Sequence, residues 1–286
     1  MDAVLADLIA VLDLETIEAN IFRGPSRDIG SPQVFGGQVL GQALIAANRT
    51  VDEARTVHSL HAYFLRRGDV NAPIVYEVDR ARDGGSFTSR RVVAVQHGRQ
   101  IFNMAASFQV TEAGLEHAVA APDVPGPEGL RDIADLQPAD IERLPPKVRE
   151  FLSHRRPFHF RMVEDINVEG IGGMQPVKHV WIKALDKLPD DPRLHQAMLA
   201  YVSDYELLGT VTLPHGRERV LRGELQMASL DHAMWFHRAC RADEWLLYAF
   251  DSPTSSGARG LARGQLFTQD GQLVISTAQE GLIRLR

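Results

Sequence analysis

The feature that most constrains the fold of this chain is an internal correspondence between its two halves. Residues 63–109 overlay residues 235–281 without a gap when 172 is added to each number. The coinciding pairs include Arg91 with Arg263, Gln100 with Gln272 and Ala106 with Ala278. A helix-like segment precedes the strands in each half. We therefore favour a duplicated unit over two unrelated antiparallel sheets whose strands happen to be similarly spaced.

Each half contains one largely apolar helix followed by strand-like segments. Residues 34–50 open on paired glycines and carry no charge before Arg49, which predicts a helix buried on nearly all sides. Alternating segments separated by turn residues predict strands at Thr16–Gly24, Thr56–Leu65, Pro73–Ala81, Ser86–Gln96, Gln100–Val110, Pro157–Ile166 and Val177–Leu185. The predicted class is α+β, a double hotdog fold in which two antiparallel sheets each wrap around a central helix.

Prolines and acidic residues mark a boundary between the halves. Six prolines fall between residues 120 and 156, at Pro122, Pro125, Pro127, Pro138, Pro145 and Pro146. The predicted organisation is a first hotdog domain at 1–115, a Pro-rich linker with a short helix (138–153) at 116–156, and a second hotdog domain at 157–286. We expect the second domain to carry the catalytic residues.

Charge and composition exclude several classes of function. A net charge of −6 argues against nucleic acid as a partner, because phosphate binding needs clustered Lys and Arg. No apolar run is long enough for a membrane span, and the acidic N-terminus does not resemble a signal peptide. The single cysteine, Cys240, suits a reducing compartment. We expect a cytoplasmic protein without a metal or redox cofactor.

An acidic residue interrupts the apolar face of the second helix. Residues 195–210 predict a helix, and Asp204 falls on the face that carries Ala197, Tyr201 and Leu208. Burying a carboxylate is costly unless it is hydrogen-bonded or paired. Asp204 is therefore either a structural carboxylate or a catalytic base that faces a cleft.

Two polar residues in the strands of the second half are further candidates. Ser229 lies near the predicted start of a strand, and Gln279 interrupts a strand of apolar and small residues. Each has an ordinary interpretation, as a strand-start serine and as an edge-strand glutamine. The gapless correspondence pairs Gln279 with Ser107, and the helix of the first half contains no acid. This asymmetry predicts one active site kept after duplication and one lost.

Common nucleophile and cofactor motifs are missing from the sequence. It contains no G-x-S-x-G elbow, no HExxH pair, no phosphate-binding Walker A loop and no CxxC. Cys240 lies in a polar, Arg-rich segment without a neighbouring base. If the chain is an enzyme, we therefore expect it to activate water or to act directly as a base.

Long segments of the chain resemble bacterial acyl-CoA thioesterase II, a family that includes the eukaryotic peroxisomal acyl-CoA thioesterases. The matching segments are SPQVFGGQVLGQAL (31–44), VHSLHAYFLRRGD (57–69), RDGGSFTSRRV (82–92), IFNMAASFQ (101–109), LAYVSDYELL (199–208), LDHAMWFHR (230–238), EWLLYAFDSPTSSGARG (244–260) and GQLFTQDGQLVISTAQEGLIR (264–284). They span both halves and are peculiar to the family. The resemblance implies a double-hotdog hydrolase that cleaves fatty acyl-CoA to free acid and CoA.

The resemblance also implies site residues. The family uses an Asp, a Thr or Ser, and a Gln to position and activate a water, which here correspond to Asp204, Ser229 and Gln279. Gly36 and Gly37, at the start of the first helix, are candidate donors to the substrate oxyanion. His58 is a further substrate-binding candidate, expected to point inward near the seam between the halves.

Two other functions fit parts of the sequence. A hotdog hydratase or dehydratase would use an Asp or Glu with a His, and Asp231 and His232 could serve. The alternative to an enzyme is a non-catalytic acyl-CoA binding protein. Beyond an acyl-CoA substrate, the expected partner is a second copy of the chain, in a homodimer or homotetramer, because hotdog units often assemble further.

Overall fold

The computed structural model describes residues 1–136, 141–142, 149–150, 153–164, 174–216, 219–220 and 222–286. The helices that lie wholly within these described residues are α1 (Ala3–Leu12), α2 (Gly36–Asn48) and α3 (Pro192–Ser203), together with short 3₁₀ helices at Ile133–Asp135 and Leu208–His215. The strands are β1 (Glu15–Glu18), β2 (Ile21–Gly24), β3 (Arg55–Phe64), β4 (Ile74–Asp83), β5 (Phe87–Gln96), β6 (Arg99–Val110), β7 (Phe158–Met162), β8 (Val177–Ala184), β9 (Leu225–Ser229), β10 (Asp231–Phe236), β11 (Leu246–Ser256), β12 (Arg259–Thr268) and β13 (Leu273–Leu285).

The strands form one continuous antiparallel sheet. Its order is β1-β2-β4-β5-β6-β3-β10-β13-β12-β11-β8-β7, with β9 also paired to β13. The two halves meet where β3 pairs with β10, so the two predicted sheets are joined edge to edge. At this junction His61 lies opposite Ala233. The predicted strands of the first half from Thr56 onward match β3 to β6 within two residues.

The strand register supports the predicted correspondence of the halves. Val75 pairs with Val95 in the first half, and Leu247 pairs with Phe267 in the second, which is the same pair shifted by 172. The β-bulge between Asp79 and Arg82 recurs between Asp251 and Thr254, again 172 residues later. A shared bulge at a shared position is a conserved detail of backbone geometry.

The gapless alignment is wrong in the last strand. Gln96 pairs directly with Arg99 across the β5–β6 turn. Its equivalent in the second half, Thr268, donates its backbone N–H to the carbonyl of Gln272, so the β12–β13 turn is one residue longer. All of β13 is therefore displaced by one residue. Leu60 pairs with Ala106, and the equivalent register places His232 opposite Gln279. Ala106, and not Ser107, is the structural counterpart of Gln279.

Helices α2 and α3 pack against each other in opposite directions, and α2 also contacts β4, β5 and β6. Glycines permit the close approach: a Cβ on Gly37 would lie 2.2 Å from the carbonyl oxygen of Tyr201, and one on Gly41 would lie 3.1 Å from that of Ala197. Arg193, at the start of α3, donates to the carbonyl of Asn48 at the end of α2. The start of α2 thus lies beside the end of α3.

The helix predicted for 195–210 is wrong at its C-terminal end. Helix α3 stops at Ser203, and Asp204 is its C-cap residue with φ −82° and ψ −9°. Glu206 then takes a positive φ of 65°, which breaks the helix before the 3₁₀ turn begins at Leu208. Asp204 therefore lies at the end of a helix and not in the middle of its apolar face.

The single strand expected at Thr16–Gly24 is a hairpin of β1 and β2, because the chain turns at Ala19–Asn20. The helix expected at 138–153 falls mostly outside the described residues. Within the described part of the chain, no helix is long and apolar enough to cross a membrane.

Candidate active site

The site forms where the end of α3 meets the start of α2 and the inner face of the sheet. The side chain of Asp204 is only 6% exposed and accepts a hydrogen bond from the backbone N–H of Gly37. The N-cap residue of α2, Phe35, provides no side-chain cap. Asp204 therefore caps α2 from the neighbouring helix, where the helix dipole favours a negative charge.

Gln279 is the second member of the site. It lies on β13 and is fully buried, and its Nε2 donates to Oδ1 of Asp204 over 2.7 Å. Its Oε1 is also buried and has no hydrogen-bond partner among the described residues. An unpaired buried acceptor is costly, and such atoms occur at sites that bind a ligand or water.

The environment of Asp204 changes its acidity. Burial raises the pKa of Asp204 to about 6, while the hydrogen bonds from Gln279 and from Gly37 oppose the shift. Desolvation prevails because no described Lys or Arg lies within ion-pair distance of the carboxylate, and the imidazole of His232, 4.0 Å away, is neutral. A carboxylate with this pKa is ionised near neutral pH and is a stronger base than an exposed aspartate.

His232 completes the buried polar cluster. It lies on β10 with no exposed surface, and its Nδ1 is 3.1 Å from Nε2 of Gln279. Its Nε2 is 2.9 Å from Oγ of Ser203, the last residue of α3. Burial lowers the pKa of His232 to about 3, so the imidazole is neutral.

Ser229 lies on the same face of the sheet as Gln279. It pairs with Gly281, two residues beyond Gln279 on β13, and paired residues point to the same side. The side chain is half-buried, and its hydroxyl makes no hydrogen bond within the described part of the chain. Ser229 therefore faces the same side of the sheet as Gln279 and makes no hydrogen bond to Asp204.

The two glycines of α2 are placed close to the carboxylate. A Cβ on Gly36 would lie 2.6 Å from Oδ2 of Asp204, and the N–H of Gly37 is already directed at the carboxylate. Gly36 thus leaves room for the acid, and Gly37 holds it.

The expectation that His58 points inward is wrong. Its Nε2 lies 2.8 Å from Oγ of Ser107, and its ring packs edge-on against Phe87. Ser107 sits between the buried residues Ala106 and Phe108 and therefore faces the opposite side of the sheet. A bulge at His58, between the pairs of Val57 and Ser59, turns the side chain to this outer face.

Asp231 and His232 do not form a catalytic pair. Asp231 accepts a hydrogen bond from the backbone N–H of Glu280 over 2.7 Å, whereas His232 faces the helices. Neighbouring strand residues point to opposite faces, which separates the two side chains. Cys240 is also unsuited to nucleophilic catalysis, because burial raises the pKa of its thiol to about 12.

Sequence reasoning missed Ser203 and the role of His232. Ser203 gave no signal, because a serine near a helix end is common. His232 had a signal: a histidine in an inward strand position among apolar residues. Among the residues that the structure describes, no cluster of His, Cys, Asp and Glu could hold a metal ion.

Comparison with known families identifies relatives along both halves. The profile described as "Acyl-CoA thioesterase N-terminal domain" matches residues 22–109, and that described as "Acyl-CoA thioesterase" matches residues 153–282. The chain is 42% identical to acyl-CoA thioesterase 2 of Haemophilus influenzae, with 99% of each chain covered. It is 40% identical to human acyl-coenzyme A thioesterase 8, covering 96% of this chain and 88% of the relative.

Solved structures show the same architecture. The crystal structure of acyl-CoA thioesterase II from Mycobacterium marinum superposes with a TM-score of 0.80 at 45% identity, covering 98% of each chain. A protein described as having a hot dog fold, from Alicyclobacillus acidocaldarius, superposes with a TM-score of 0.79 at 18% identity over 98% of each chain. The second likeness concerns the fold alone, and it agrees with the predicted hotdog architecture.

Proposed function

The chain belongs to the acyl-CoA thioesterase family, and from that premise we propose that it hydrolyses fatty acyl-CoA through a water activated by Asp204. The products are the free fatty acid and CoA. The observation that carries the assignment of Asp204 is its placement: a buried carboxylate of raised pKa, hydrogen-bonded to Gln279 and seated at the start of α2. We also infer that the chain holds two hotdog units, since the halves share strand order and bulges.

The chemistry follows from the charge states in the site. Ionised Asp204 takes a proton from the water as the water oxygen attacks the thioester carbonyl carbon. The carbonyl electrons move to oxygen and form a tetrahedral oxyanion. The oxyanion then collapses, the carbon–sulfur bond breaks, and Asp204 returns the proton to the departing thiolate. No covalent intermediate with the enzyme is required.

Gln279 and Ser229 would hold the attacking water. The unpaired Oε1 of Gln279 is an acceptor for one water proton. The unengaged hydroxyl of Ser229, on the same inner face, is a second group within the site. The family resemblance implies Thr or Ser at this position, and both supply a hydroxyl.

The developing oxyanion needs donors, and the start of α2 is the nearest set of backbone N–H groups. The N–H of Gly37 is committed to Asp204, so Gly36 is the first candidate. Its missing side chain allows a substrate oxygen to approach the backbone.

The hydratase alternative finds little support in the site. An acid–base dyad on an enoyl thioester needs a histidine that can exchange protons with the substrate. His232 is fully buried, neutral, and engaged at both nitrogens by Gln279 and Ser203. Asp231 points away from it.

Purified protein incubated with palmitoyl-CoA and crotonyl-CoA tests the proposal. We expect thiol release from palmitoyl-CoA and its loss in Asp204→Asn, a substitution that keeps the shape and the hydrogen bond from Gln279. Loss of enoyl absorbance from crotonyl-CoA without thiol release would instead indicate a hydratase. Equal thiol release by Asp204→Asn and wild type would exclude Asp204 as the base.

We further propose that the protein is cytoplasmic and assembles into a homo-oligomer, as hotdog units commonly do. Light scattering coupled to gel filtration tests the assembly: a mass of two or more times 31.7 kDa supports it, and the monomer mass contradicts it.

A further inference from the structure

We propose that His232 and Ser203 are positioning residues that fix the amide orientation of Gln279, so that its oxygen faces the attacking water. The inference rests on the proposed function for its catalytic meaning. The orientation itself is a property of the resting protein and can be measured without substrate.

The donors and acceptors of the cluster can be assigned in sequence, starting from Ser203 at the end of α3. The Ser203 hydroxyl donates its single proton to the carbonyl of Ala200, over 2.9 Å, or to the sulfur of Met234. Its oxygen must then accept from Nε2–H of His232. Ser203 therefore selects the imidazole tautomer that is protonated on Nε2.

The tautomer determines what His232 offers to Gln279. With the proton on Nε2, the neutral ring presents Nδ1 as an acceptor. The group of Gln279 that lies 3.1 Å away must be a donor, which is the amide nitrogen. The second amide proton points to Oδ1 of Asp204, 2.7 Å away. Both protons of the amide are thus used, and Oε1 is left as the open acceptor.

Reversal of the amide would damage the site at two places. The amide oxygen would face the carboxylate of Asp204, and two acceptors would repel each other. The nitrogen would face the water position and remove the acceptor there. Ionised Asp204 alone favours the observed orientation. Once Asp204 takes up the proton from water, it can either accept from the amide nitrogen or donate to the amide oxygen, so it no longer selects one orientation. His232 keeps the orientation at that stage of the reaction.

The first half of the chain shows that the fold does not need this polar pair. The residues equivalent in register to His232 and Gln279 are Leu60 and Ala106, both buried and apolar. The same sheet and helix therefore pack without a histidine or an amide. A fully buried neutral histidine is costly unless its two nitrogens are engaged, and here one of them contacts a site residue.

Substitutions on the two partners separate positioning from packing. We expect His232→Leu and Ser203→Ala to lower kcat on palmitoyl-CoA about 10-fold or more, with KM changed less than about 2-fold. His232→Asn, which keeps an acceptor near the place of Nδ1, should recover most of the lost kcat. The matched control is Ser107→Ala, which removes a hydroxyl bonded to a histidine on the outer face of the sheet. It should behave as wild type.

Two readouts distinguish a positioning role from a structural one. The N–H donor of Gln279 lowers the pKa of Asp204. In His232→Leu the amide is free to reverse when Asp204 is protonated, which favours the protonated acid, so the acidic limb of the kcat/KM profile should move to higher pH. A long-range proton–nitrogen NMR spectrum of the wild type should show His232 neutral and protonated on Nε2, whether or not palmitoyl-CoA is a substrate.

The outcomes are distinct from those that test the proposed function. An Nδ1-protonated His232, or a folded His232→Leu with wild-type kcat and an unmoved pH profile, would overturn the positioning role. Inactive wild-type protein that shows the Nε2 tautomer would contradict the hydrolase proposal while leaving the amide orientation supported.

Discussion

The side-chain nitrogen of Gln279 lies 2.7 Å from Oδ1 of Asp204, although 75 residues separate the two along the chain. The contact joins the C-cap of α3 to the inner face of β13. It also affects the pKa of Asp204: the hydrogen bond from Gln279 lowers this pKa, and burial raises it by more.

The rate of hydrolysis should depend on the ionisation of Asp204. With its pKa at about 6, kcat/KM should fall about tenfold per pH unit well below that value and level off above it. Loss of thioester absorbance, followed between acidic and mildly basic pH, measures the profile. A profile that is flat through pH 6 would contradict the role of Asp204 as base.

Asp204→Asn should stabilise the fold while it abolishes activity. The pKa of Asp204 is higher in the folded protein, about 6, than its ordinary value of 3.8, so the fold favours the protonated acid. The stability contributed by this group is present at low pH, is lost as pH rises from about 4 through 6, and is absent above. The ionisation therefore costs on the order of 3 kcal/mol at pH 8.

Urea unfolding of wild type and Asp204→Asn at two pH values measures this cost. The variant should be the more stable protein at pH 8, and its advantage should shrink by about 1 kcal/mol at pH 5. An advantage independent of pH would mean that ionisation of Asp204 is not its source.

Alanine at Gly36 and at Gly37 should act differently. The new Cβ at position 36 would lie 2.6 Å from Oδ2 of Asp204, so we expect displacement of the carboxylate and a loss of kcat of about 10-fold or more. At position 37 it would lie 2.2 Å from a backbone oxygen of α3, so the helix pair must separate and unfolding should occur at a lower temperature.

Gly85→Ala provides the control for both glycines, because a Cβ there meets no atom within 4 Å. Thermal unfolding and palmitoyl-CoA turnover are measured on all three variants. Wild-type turnover by Gly36→Ala would show that Gly36 is not needed beside Asp204.

Activity should depend on a hydroxyl at position 229 more than on the size of the side chain there. Ser229→Ala should lower kcat about 10- to 100-fold if the hydroxyl holds the water, whereas Ser229→Thr should keep most of the activity. Steady-state kinetics on palmitoyl-CoA compare the two. Equal activity of Ser229→Ala and wild type would remove Ser229 from the proposed set.

Asn48 offers a test of stability away from the site. It lies at the other end of the helix pair, is 2% exposed, and its Oδ1 and Nδ2 are both buried without a partner among the described residues. Asn48→Leu should therefore raise the free energy of unfolding by about 1 kcal/mol and leave kcat unchanged. Urea denaturation measures the difference, and destabilisation by the leucine would show that the amide has a partner or that the larger side chain does not fit.

Local sequence patterns determined most of the secondary structure. The uncharged segment with paired glycines predicted α2, and alternation with turn residues predicted β3 to β6 within two residues of their bounds. These features depend on neighbours along the chain, which is why a single sequence reveals them. Polar residues within apolar patterns singled out Asp204, Ser229 and Gln279, and the family motifs implied a shared role for them. Two of these residues, Asp204 and Gln279, lie in direct contact.

The tertiary structure decided what depends on distant partners. Because the β12–β13 turn has one extra residue, the structural counterpart of Gln279 is Ala106 and not Ser107. The bulge at His58 turns that side chain to the outer face of the sheet. The helix end that presents Asp204 lies beside the start of α2, which no periodicity encodes. The proposed positioning role of His232 depends on its hydrogen bond to Ser203, 29 residues away. Ser203 ends a helix and His232 lies on a strand, so this bond exists only once packing brings the two elements together.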